Sequence, residues 1–390
     1  MKKTTITILL TIFLFASSYA QSNENANGST YKLVENFEKE VSSDGIYLIA
    51  AYLYNKNGSS IYLMSPENLK EGKIKGIILQ DAATATITIN EQNLSNLEFR
   101  IEKSKKDIRI INKDNYLSNS SEKIKFESNK NNTNLWTFTE VTNPNYRRIK
   151  LCNKNNSNNY MIAFNTNSNE FQISKATTTF PAINLYKKVS HAITIGKTGY
   201  STFYYSSNDA VLPVGLTAYT YGIETNENVT KLVSTHQFNA GDTIPAECAV
   251  VVKGNPGTYS ITLQDKKSTK KYDNILKGTY YTKELEANGD TQYYYMLSLD
   301  AKGENVGFYW GATDGRPFTN KAHKAYLAIQ KSASSKISSF VLDPEGNSAT
   351  GIETIEDNGT AASAIYDLSG RRTLNPSHGI YIMNGKKILK

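Results

Sequence analysis

Apolar and polar positions alternate in short runs along most of this chain, as in Gly45-Ile-Tyr47-Leu-Ile49, Ile108-Arg-Ile110, Ile124-Lys-Phe126 and Tyr259-Ser-Ile261-Thr-Leu263. A period of two sends successive side chains to opposite faces of an extended strand, so each run reads as a half-buried strand. Gly, Asn and Asp-Gly pairs break the runs about every ten residues, the spacing of short strands joined by turns. No segment keeps apolar residues at helical spacing, and the pattern predicts an all-β protein.

Two regions differ in how the runs are arranged. In residues 30–189, Leu97-Glu-Phe99, Ile108-Arg-Ile110, Asn115-Tyr116-Leu117 and Ile124-Lys-Phe126 are followed in the same order by Trp136-Thr-Phe138, Ile149-Lys-Leu151, Asn159-Tyr160-Met161 and Phe171-Gln-Ile173. Gly45-Ile-Tyr47-Leu-Ile49 with Ser60-Ile-Tyr62-Leu63 reads as a fainter first copy. Units that cannot bury an apolar face alone must stack on one another. Three such four-stranded units resemble a β-trefoil, with another small antiparallel β-barrel or a sandwich as the alternatives. After Tyr186-Lys-Lys188 the composition shifts to Gly and aromatic residues, and residues 190–342, with strand signals such as Ala249-Val-Val-Val252 and Tyr293-Tyr-Tyr295-Met-Leu297, are expected to form a β-sandwich. Residues 343–363 are short on apolar side chains and read as a linker before a last element, 364–390.

Gly199-Tyr-Ser-Thr-Phe203, Gly241-Asp-Thr-Ile-Pro-Ala246 running into Val250-Val-Val-Lys-Gly254, Gly307-Phe-Tyr-Trp310 and Ala322-His-Lys-Ala-Tyr-Leu327 together resemble a β-rich module repeated across exported proteins of bacteria that use type IX secretion. The end of the chain is similar to the C-terminal sorting domain of that cargo. It carries a Tyr-Asp-x-x-Gly turn at Tyr366, Asp367 and Gly370, a Gly-x-Tyr strand at Gly379 and Tyr381, and a basic-apolar last strand at Lys386 and Lys387. It departs from that family in being short, without the apolar strand and Asn-Pro turn that usually come first. The resemblance implies an extracellular or outer-surface location, reached through the periplasm, and an export or sorting machine as partner.

The N-terminus agrees with export. Lys2 and Lys3, an apolar stretch from Ile6 to Ala16 and Ser18-Tyr19-Ala20 before Gln21 form a secretory signal with cleavage expected between Ala20 and Gln21, giving a signal peptide over residues 1–20. No later run approaches the roughly 20 apolar residues of a spanning helix. Residues 21–189 hold 22 Lys/Arg against 17 Asp/Glu, and 190–347 hold 15 against 15; this scattered excess reads as a solvated surface, without the basic stripe of a nucleic-acid partner. With only Cys152 and Cys248, no disulfide framework or cysteine zinc cluster is possible, and buried thiols are the expectation.

No nucleophile elbow, phosphate loop, paired-histidine helix or EF-hand occurs, so neither catalytic residues, metal ligands nor a cofactor are assigned. His191, His236, His323 and His378 lie far apart in sequence, and Asp290, Asp300, Glu304 and Asp314 sit in or beside Gly-containing turns. The remaining signal is aromatic. Tyr309 and Trp310 are adjacent on a strand, so one of them must leave the core, and with Tyr326 they are the candidate ligand surface, since exposed rings hold sugar faces. The expectation is a secreted or surface binding and adhesion protein, not an enzyme, whose ligand is an extracellular glycan or protein. A structural module without ligand and a secreted hydrolase are the alternatives.

Overall fold

The computed structural model describes residues 28–55, 58–80, 85–90, 94–143, 146–154, 160–175, 183–226, 229–311, 315–331, 337–343, 348–353, 365–366, 372–373, 380–383 and 386–389. The expected cleavage site at Ala20 and Gln21 lies outside them, as do Asp367, Gly370 and Gly379. The described residues are almost entirely antiparallel β-structure, and none of their helices is long and apolar enough to cross a membrane.

In the first region six strands close a barrel: Gly45–Asn55, Phe99–Ser104, Asp107–Asn112, Trp136–Asn143, Tyr146–Asn153 and Asn184–Ile195. Neighbours pair antiparallel, Asn184–Ile195 returns to Gly45–Asn55, and Tyr146–Asn153 lies against Asn184–Ile195. Hairpins over 69–75, 115–127 and 160–175 join these strands and meet at one end. Barrel strand, hairpin, barrel strand thus recurs three times, which is the β-trefoil arrangement. The inward positions of the alternating runs fill it with Tyr47, Ile49, Phe99, Ile101, Ile108, Ile110, Trp136 and Leu151. A further layer, built by Ser29–Leu33, Ile77–Gln80, Thr86–Ile89 and the helical turn Leu94–Leu97, covers the outward Leu48, Ala50 and Tyr186.

The second region is a sandwich continuous with the first. Strand Asn184–Ile195 leaves the barrel and pairs through Ser190–Ile195 with Gly257–Leu263. Across an apolar layer that includes Ile193, Ile261, Ala218 and Val252 lies one end of a ten-stranded sheet, whose other face carries Val251, Tyr221, Tyr295, Phe308 and Phe340. The run Ala249-Val-Val-Val252 is unbroken because both its faces are covered.

Two expectations need correction. The boundary at 189/190 falls inside one strand of twelve residues: the two lysines that suggested a surface are buried, Lys187 bonding to the Glu40 carbonyl and Lys188 to Glu98. Residues 348–353, within the expected linker, form a strand between Ile337–Leu342 and Val229–Phe238, since a backbone ladder needs no apolar side chains. As expected, Cys152 and Cys248 are both free, the first buried and the second half-buried; burial pushes the Cys152 thiol up and the Cys248 thiol up to about 12. Strands Ile365–Tyr366, Arg372–Thr373, Ile380–Met383 and Lys386–Leu389 form a small sheet that pairs only with itself among the described residues. Tyr366, Tyr381, Lys386 and Lys387 lie on it.

Candidate functional site

The three expected ligand residues are placed on one sheet and are not brought together. Tyr295 faces Trp310 and Met296 faces Tyr309 in the register of Gln292–Leu299 with Val306–Trp310. Tyr295 is buried, so strand alternation turns Trp310 inward and Tyr309 outward. The Trp310 indole packs against the inner cluster and donates to the Ala287 carbonyl at 3.1 Å. Its ring lies over Gly315, where an added Cβ would come within 2.1 Å of it. Tyr309 donates to the Asn305 carbonyl of its own hairpin at 2.9 Å. Tyr326 meets Tyr294 edge-on at 5.5 Å and makes no ring contact with Tyr309 among the described residues.

A different set of residues encloses space. Strand Val229–Phe238 ends with His236 and Phe238 on one face. The Tyr272 ring stacks on the His236 imidazole, centroids 4.2 Å apart, and Phe238 meets both edge-on, at 4.6 Å from His236 and 5.1 Å from Tyr272. The turn after this strand is fixed by Gly241 at φ +89 and by Asp242, whose carboxylate accepts the Asn239 amide at 2.7 Å. Opposite it runs 264–275, an irregular stretch tied down by Asp209. The Asp209 carboxylate accepts the Ala246 and Ser268 amides, both at 2.9 Å through one oxygen, while its second oxygen is buried without a partner. These elements surround a cavity of about 700 Å³, whose lining includes His236, Tyr272, Asp209, Asp242, Lys266 and Lys270, within the size range of small-ligand sites. The Lys270 ammonium stands 4.8 Å from the Tyr272 ring centroid, a cation–π distance.

A third cluster has the side chains of an active site, buried between the barrel and the far sheet. Glu98, at the end of helical turn Leu94–Leu97, accepts Tyr31 at 2.5 Å and Lys188 at 2.6 Å through one carboxylate oxygen. Its other oxygen is 3.3 Å from the His323 Nε2. Lys188 also lies 3.0 Å from the His191 Nδ1, and the two imidazoles meet edge-on at 4.7 Å. All five side chains are buried. Burial alone would raise the Glu98 carboxyl, but the Lys188 charge and the His323 bond outweigh it and hold it down at about 2. Burial first, then the Lys188 charge, pushes both imidazoles below their ordinary range, with Glu98 opposing this at His323. His323 reaches the cluster from a turn where its own φ is +59, with its amide donating to Thr279 and its carbonyl accepting from Tyr204. Two of the four histidines, His191 and His323, therefore meet, tying the barrel to the far sheet, while His236 stands apart beside Tyr272 and His378 lies outside the described residues.

Sequence reading missed the cavity because its aromatic signal lay in regular strands, whereas Tyr272 follows an irregular segment. A usable signal was present: Lys266-Lys-Ser-Thr-Lys-Lys271 places four lysines directly before Tyr272. Of the acids placed in turns, Asp300 caps its own turn, accepting the Lys302 and Glu304 amides at 3.1 and 2.8 Å, and Asp314 lies outside the described residues.

No family model matches the chain, and no curated protein matches it. Among solved structures it is similar to a Polyporus squamosus lectin bound to a human-type influenza-binding epitope, Neu5Aca2-6Galb1-4GlcNAc, at 16% identity and a TM-score of 0.26, over 39% of this chain and 52% of that one. The chain thus spans about half the length of that lectin.

Proposed function

We propose that this chain is an exported, non-catalytic binding protein that holds an extracellular glycan in the cavity between His236 and Tyr272, with residues 364–390 serving as its sorting address. The observation that carries the reading is the Tyr272–His236 pair standing beside fixed polar groups in a cavity of about 700 Å³. Sugars present apolar faces that stack on rings and hydroxyl groups that need directional partners. Here the partners are the Asp242 carboxylate, Thr243, Thr269 and the lysine ammonium groups. Asp209 acts from below: by accepting two backbone amides from separate loops it fixes the walls.

The test is equilibrium binding of the full chain to an oligosaccharide array, repeated with Tyr272→Ala. Loss of the ring is expected to weaken every positive interaction at least about tenfold, the equivalent of ~1.4 kcal/mol, with the fold unchanged by circular dichroism. Unchanged affinities in a folded variant would remove the cavity from the account.

A further inference from the structure

We infer that the cavity selects acidic sugars, those carrying carboxylate or sulfate groups, through Lys266 and Lys270; this deepens the glycan reading and rests on it. The cations of the stretch 266–271 are not equivalent. Lys267 is paired with Glu247 at 2.8 Å. Lys266 and Lys270 line the cavity, are exposed, and make no ion pair among the described residues. The segment that carries them is held in place, because the Asp209 backbone amide donates to the Lys266 carbonyl and the Asp209 carboxylate accepts the Ser268 amide, both at 2.9 Å. Two unpaired ammonium groups are thus presented on a fixed segment beside an aromatic pair.

The acidic residues in the same lining do not cancel them. Asp209 is buried, its charge directed at two amide donors, and the Asp242 carboxylate accepts the Asn239 amide on the opposite wall. The Lys270 ammonium lies against the Tyr272 ring, so a ligand that stacks there meets a cation at the same point. A neutral sugar can meet that ammonium only through a hydroxyl group, in a weaker hydrogen bond. A sugar carrying an anionic group engages ring and ammonium together, in a charge-assisted hydrogen bond stronger than a neutral one. A nucleic-acid strand uses a basic groove with successive stacking rings; here one tyrosine and one histidine form a single stack.

The experiment compares uronate-, sialate- and sulfate-bearing oligosaccharides with neutral oligosaccharides of equal length, using the full chain, at low ionic strength and at roughly 1 M salt, where the screening length is about 3 Å. Acidic members are expected to bind about 10- to 100-fold more tightly at low salt, the range of one charge-assisted hydrogen bond, and to lose most of that advantage at high salt. In Lys266→Ala/Lys270→Ala the ratio of acidic to neutral affinity is expected to fall to about one, acidic members losing about 10- to 100-fold more affinity than neutral ones. Neutral sugars bound as tightly as acidic ones, with no salt dependence, would overturn this inference and leave the glycan reading standing. No binding of either class would overturn both. Equal binding of a short oligothymidylate of matched charge would show a plain polyanion site and overturn the sugar selectivity.

Discussion

The cluster around Glu98 and the cavity beside Tyr272 are built from the same few side chains, carboxylate, lysine, histidine and tyrosine, and they do opposite work. Around Glu98 every charge has a partner within 3.3 Å and water is excluded; the elements joined there lie up to 225 residues apart. Around Tyr272 one carboxylate fixes the walls while Lys266 and Lys270 remain exposed and outside any ion pair among the described residues. Buried charges must be paired to be tolerated, so a closed cluster turns chemically reactive residue types into a fastening. The presence of a Lys, His and Glu together is therefore no guide to function until the space around them is known.

Breaking the closed cluster should have the largest effect. Glu98→Gln keeps the size of the side chain but leaves the Lys188 ammonium buried without its counter-charge, and urea unfolding is expected to show a loss of about 3–5 kcal/mol. The matching change at the cavity, Lys270→Ala, removes an exposed side chain and should stay within about 0.5 kcal/mol. Losses of similar size at both positions would erase the distinction between them.

Acid should act on the same cluster. The folded state holds His191 and His323 below their ordinary range, so the unfolded chain takes up protons first, and stability falls as the pH drops below about 6.5. Both groups act in the same direction, so stability falls steadily between pH 7 and 5.5. Glu98, held at about 2, contributes fully above its ordinary carboxylate range and loses that contribution progressively as the pH falls from there to about 2, so the window near pH 6 belongs to the histidines. Lys188 faces both imidazoles and Lys324 adds its charge at His191, which opposes their protonation further. His323→Gln should reduce the slope in pH-dependent denaturation; a flat wild-type profile would refute the assignment.

The expected aromatic surface offers a smaller contrast. Trp310→Ala empties a packed position over Gly315 and should lower stability by about 2–4 kcal/mol, while Tyr309→Ala on the outward face should cost under about 1 kcal/mol. Smallest of all should be removal of residues 354–390, whose described strands pair only among themselves: unfolding should shift by under about 0.5 kcal/mol, while fractionation of expressing cells should find the shortened protein retained in the periplasm. Surface display of that shortened protein would end the reading of the C-terminus as an address.

Much of the fold was legible because it is written in local periods. The forty-residue recurrence exposed the three-part barrel, and strand alternation decided that Tyr309 and Trp310 must part. The seam between the regions was not legible. Lys187 and Lys188 look like a solvated edge until Glu98, 90 residues away from Lys188, supplies the charge that lets it be buried, and pairing over that distance leaves no periodic trace. The cavity was hidden for the opposite reason: 264–275 has no regular structure, so its four lysines and Tyr272 carried composition without a pattern to place them.

The central claim is that ligand meets the irregular segment and not the regular aromatic strands. Hydrogen–deuterium exchange with mass spectrometry, on the full chain with and without a bound oligosaccharide, tests it directly. The account predicts slowed exchange in peptides covering 236–245 and 264–275 and unchanged exchange in those carrying Tyr309 and Tyr326. Protection confined to the Tyr309 and Tyr326 peptides would contradict it.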